Sequence, residues 1–150
     1  MKIYELENAP EWLKNASTEN EDVEIIDGEV IWKDGIWISG TWVSGTWKDG
    51  IWEKGTWRDG IWETGVWKSG VWKNGFWGKG IWGDGIWKDG VWEDGVREHG
   101  IWETGVWKKG LWEEGTWKKG TWTAGRWRGG TWEKGTWKKG TWEKGIWKGS

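Results

Sequence analysis

From Ile31 to Lys148 the chain repeats one five-residue pattern of apolar and polar positions without a slip. The first residue of each pentad is Ile, Val or Thr, with Phe76, Leu111 and Arg126 as exceptions. The second is Trp everywhere except at Arg97. The third and fourth are mostly Lys, Glu, Asp or Ser, and the fifth is Gly from Gly35 onward. A β-branched residue followed by an aromatic one is strand material, and regular Gly is turn punctuation. A helix is excluded, because each interior Gly would cost about 1 kcal/mol. The pattern predicts very short strands joined by two-residue corners.

A unit this short buries nothing alone and must stack on its neighbours. An antiparallel meander would leave all the Trp on one uncovered face. A β-solenoid, with coils about 4.8 Å apart, hides its own core and pairs its own backbone. The expectation is therefore an all-β solenoid over residues 28–150. In it Trp points inward and Gly makes room for it.

Charge at the third position bears on coil length. Counting alternate pentads from Ile38, nine of twelve third residues are basic, while Glu holds seven of twelve in the other set. The period is ten or a multiple of it. A four-sided coil of 20 residues would place Lys48, Lys68, Lys88, Lys108, Arg128 and Lys148 in one column. On periodicity this is the coil expected, with about six turns and a length of roughly 29 Å. Repulsion along such a column favours fifteen residues, where signs alternate.

Residues 1–27 do not repeat and read as a small cap over the open end of the stack. Lys2–Leu6 reads as a short strand and Pro10–Asn15 as a short helix begun by Pro. Ser17–Asp22 reads as a polar loop and Val23–Ile26 as a strand feeding the repeats.

Composition narrows the chemistry. The 150 residues include 24 Trp, 28 Gly and no Cys, so neither disulfides nor thiolate metal sites are expected. Net charge is −2, with +4 over residues 28–150, too weak an excess over so long a module to point to nucleic acid. Neither a secretion signal nor a membrane-spanning stretch is evident, which suggests a cytoplasmic or virion-associated protein. The acidic residues recur at equivalent positions and single out no catalytic pair. No enzyme activity, cofactor or metal is expected. The one irregular place is Val96-Arg97-Glu98-His99, where the missing Trp coincides with the only His. Arg97, Glu98 and His99 are the candidate interaction residues, with Arg97 laid along neighbouring Trp rings for roughly 0.5–2 kcal/mol.

The unit Gly-x-Trp-x-x resembles that of pentapeptide-repeat proteins, in which a small residue and a central Leu or Phe face the interior of a right-handed square coil. That resemblance implies Gly at the small site and Trp at the central one; the β-branched first position departs from the family's pattern. The spacing is also similar to the ten-residue coil of midge antifreeze proteins, whose Cys braces are missing here, and to part of the membrane-occupation (MORN) repeat. The whole chain looks like Trp-rich pentad-repeat reading frames of tailed phages. The function expected is a non-enzymatic structural or protein-interaction rod, self-associating through residues near 130–150. The alternative is a carbohydrate- or ice-binding surface of outward-facing Trp.

Overall fold

The computed structural model describes residues 1–149, an all-β parallel solenoid behind a small N-terminal cap. Each pentad contributes a two-residue strand made of its first residue and its Trp, such as Thr56–Trp57 and Val71–Trp72. Each strand pairs in parallel with the one fifteen residues on, Thr56 with Val71 and Trp57 with Trp72. One coil is thus three pentads, and eight coils stack, giving three flat faces and a length of about 38 Å.

Two backbone bonds recur from coil to coil. The N–H of a first residue donates to a Gly carbonyl sixteen residues back, as in Thr56 to Gly40 at 3.0 Å. The N–H of a third residue donates to the Trp carbonyl below it, as in Arg58 to Trp42 at 2.8 Å. Buried backbone groups need such partners, and the regular ladder supplies them.

The Trp side chains are the core, fully buried from Trp32 through Trp132. Along the axis they form three columns of stacked rings: Trp32 and Trp47 lie 4.8 Å apart with planes 5° from parallel. Around the coil each ring meets the next edge to face, as Trp47 and Trp52 do at 6.0 Å and 70°. Both geometries suit the indole quadrupole and add about 0.5–1.5 kcal/mol per pair beyond burial. The first residues face outward beside the charged third and fourth positions.

The cap closes the first coil. Strand β1 (Ser17–Ile26) runs antiparallel to β2 (Glu29–Ser39), setting Val23 against Trp32 and Ile25 against Val30. Helix α1 (Glu11–Lys14) buries Leu13 and sets Trp12 edge-on to Trp42 at 5.1 Å. The Met1 ammonium pairs with Asp22 at 2.6 Å, and Glu21 accepts the Ile3 N–H at 3.1 Å.

Three expectations are corrected. The coil has three sides and fifteen residues, not four sides and twenty. Three indoles meeting edge to face close the coil centre. Fifteen residues also set the two charge sets against each other: Lys68 lies 3.9 Å from Glu53, Lys108 3.5 Å from Glu93 and Arg128 3.6 Å from Glu113. Lys2–Leu6 is not a strand; Ile3–Glu5 is a 3-10 turn whose Glu5 carboxylate accepts the Lys2 N–H at 2.9 Å. Ser17–Asp22 is not a loop but the first part of β1, because pairing with β2 overrides its polar composition. Register shifts between Glu19 and Val23 and a positive φ of 54° at Asn20 accommodate that polar run.

Candidate functional site

Because coils repeat every fifteen residues, side chains far apart in sequence line up at one corner. The third-position column Glu98, Glu113, Arg128, Glu143 runs beside the fourth-position column His99, Glu114, Gly129, Lys144. Gly129 contributes no side chain, and the gap opens a hollow of about 540 Å³ lined by Glu98, His99, Glu113, Glu114, Arg128, Glu143 and Lys144.

Part of this hollow is tied down. The Arg128 guanidinium bridges Glu113 at 3.6 Å and Glu143 at 3.4 Å. Arg126 grips Glu143 with two bonds, Nη2 at 2.7 Å and Nε at 3.0 Å. Those bonds and the Arg126 charge, with Arg128 and Lys144 behind them, hold the Glu143 carboxyl below its usual range. Glu98, His99 and Glu114 stay exposed and outside the ion pairs of the structure. That arrangement can hold a cationic group of a partner. Among the described residues no group of three or more His, Cys, Asp or Glu has a metal-binding arrangement.

Arg97 points the other way. It is fully buried and takes its Trp's place in the column, the one buried charged side chain among the described residues. Its Cζ lies 4.7 Å from the Trp82 ring and 4.9 Å from the Trp112 ring, with Trp102 beside it at 5.7 Å. A guanidinium is flat and stacks on indoles as a cation–π pair, so it keeps the column continuous. Nε, Nη1 and Nη2 all lack hydrogen-bond partners. Burial pushes the Arg97 pKa down to about 9 against the pull of the Asp84 carboxylate, and at neutral pH it remains a cation.

The structure thus separates the three candidate residues. Glu98 and His99 lie at the solvent corner, joined by Glu113, Glu114 and Glu143 from coils one to three steps away, while Arg97 belongs to the core. Gly129 and the Arg126–Arg128 clamp were not singled out from the sequence. Their signals were the Gly129-Gly130 doublet, a Gly at the fourth position of its pentad, and Arg126 in place of an apolar or Thr first residue. Comparison with protein-family models, curated proteins and solved structures finds no match.

Proposed function

We propose that the chain is a non-enzymatic structural or protein-interaction rod. The observation that carries this reading is the burial of the Trp rings from Trp32 to Trp132. It removes the premise of the alternative, a binding surface of outward-facing Trp. What faces solvent is a set of flat aliphatic and Thr stripes edged by charges, broken at the Glu98–His99 hollow. The five-residue period and the Trp ladder support kinship with pentapeptide-repeat proteins, from whose square coil the three-sided one departs. A role in a phage particle or its host's cytoplasm fits the resemblance to phage reading frames.

Self-association belongs to the same reading. Residues 106–149 hold 11 basic and 4 acidic groups, net +7, whereas residues 1–27 hold 2 and 8, net −6. Ile146 and Trp147 are 60% and 44% exposed. The basic end of one copy complements the acidic cap of another, which favours head-to-tail contact over a symmetric pairing of two basic ends. Sedimentation velocity at low and high salt tests this. Association that weakens with salt and is lost in Trp147→Glu is expected; a monomer at high concentration in low salt would sink the idea.

A further inference from the structure

Arg97 leaves its surroundings undisturbed. The rings around it keep the spacing found throughout the ladder: Trp87–Trp102 and Trp92–Trp107 at 4.8 Å, Trp87–Trp92 and Trp102–Trp107 at 5.9 Å. Its own distances to Trp82 and Trp112 match one coil step. Arg is smaller than Trp by about 50 Å³, and interiors otherwise pack to crystal density. The frame has not closed in to take up that difference. The difference is enough for one water or one monatomic ion, and too small for sulfate or phosphate.

The chemistry of the surroundings decides between those two. Arg97 presents three nitrogens without acceptors. The nearby carbonyls are already engaged: that of Arg97 by the Glu113 N–H at 2.8 Å, that of Trp82 by Glu98 at 2.8 Å, that of Gly83 by His99 at 2.9 Å. Asp84 is exposed at its corner and does not reach the guanidinium. A water would cancel no charge. An anion accepts from several donors at once and neutralises a cation that burial otherwise makes costly.

We propose that Arg97 anchors a buried monatomic anion, a halide such as chloride, enclosed among the indoles of Trp82, Trp102 and Trp112. The ion is taken up as the coils form, so occupancy reads out as stability.

Two measurements test this. Thermal unfolding of the whole chain is followed in sodium chloride and in sodium gluconate at equal ionic strength. The natural chain should melt about 3–8 °C higher in chloride at saturation, and Arg97→Trp should melt alike in both. Independently, crystals grown in bromide should show an anomalous peak within about 3.5 Å of the guanidinium, an experiment that needs no variant. Equal melting of the natural chain in the two salts, the same shift in the variant, or a site without anomalous signal would each overturn the proposal.

Discussion

A Cβ built on Gly70 would run into the carbonyl oxygen of Gly55 in the coil below. Gly70 also has a φ of +130°, where an L side chain is strained whatever the space. Gly70→Ala should therefore cost more than about 3 kcal/mol and unfold the neighbouring coils. Lys68→Ala, in the same pentad but exposed, should stay within about 0.5 kcal/mol. Urea unfolding of the two variants side by side checks both values.

Replacing Arg97 separates charge from volume. Arg97→Trp completes the column and should stabilise the chain by about 1–4 kcal/mol in gluconate. Arg97→Ala opens a cavity between Trp82 and Trp112 and should cost about 3–5 kcal/mol. A less stable Arg97→Trp variant would show that the column tolerates a guanidinium better than an indole at this step.

Arg97 also sets an alkaline signature. Its pKa in the fold, about 9, lies well below the ordinary arginine value, so between those values the unfolded chain binds the additional proton. Stability from this group therefore rises with pH across that interval and is flat below it. The difference in melting temperature between Arg97→Trp and the natural chain should narrow above pH 9, as calorimetry across pH 8–11 would show.

The cap should loosen in acid before the coils do. Burial raises the Glu21 carboxyl, but the Ile3 N–H and other hydrogen bonds outweigh it and the net pKa is lowered; Asp22 is lowered by its bond to the Met1 ammonium. Their contribution is present above the ordinary carboxylate values of 4.5 and 3.8 and is lost as pH falls through the lower folded values. Hydrogen exchange should show residues 1–26 opening over that window while Trp57 to Trp127 stay protected. Glu21→Gln should flatten the dependence.

Bulk fluorescence should be blue-shifted and resist acrylamide, since the rings from Trp32 to Trp132 are shielded. A small quenchable component should come from Trp147 and the partly buried Trp12, Trp137 and Trp142, and should shrink in Trp147→Leu. Red-shifted, fully quenched emission would contradict the inward core.

The solenoid, the inward Trp and the role of Gly were legible because period five, indole bulk and corner geometry are local properties. The number of pentads per coil was not. The edge-to-face contact of Trp47 with Trp52 depends on the shape of the rings, which spacing along the chain does not reveal. The charge period of ten was real but pointed to the wrong coil, because Lys68 answers Glu53 fifteen residues away rather than another Lys twenty away. The hollow beside His99 was hidden for the same reason: Glu98, Glu113 and Glu143 become neighbours only once the coil is known.

The coil of fifteen and the charge alternation of ten meet again only every thirty residues. Inserting one pentad into the gene would rotate every later residue by one face, and inserting one full coil would restore the faces but pair like charges across the seam. Two coils gained or lost together leave both patterns intact. The rod can change length across generations most freely in steps of two turns, about 10 Å at a time.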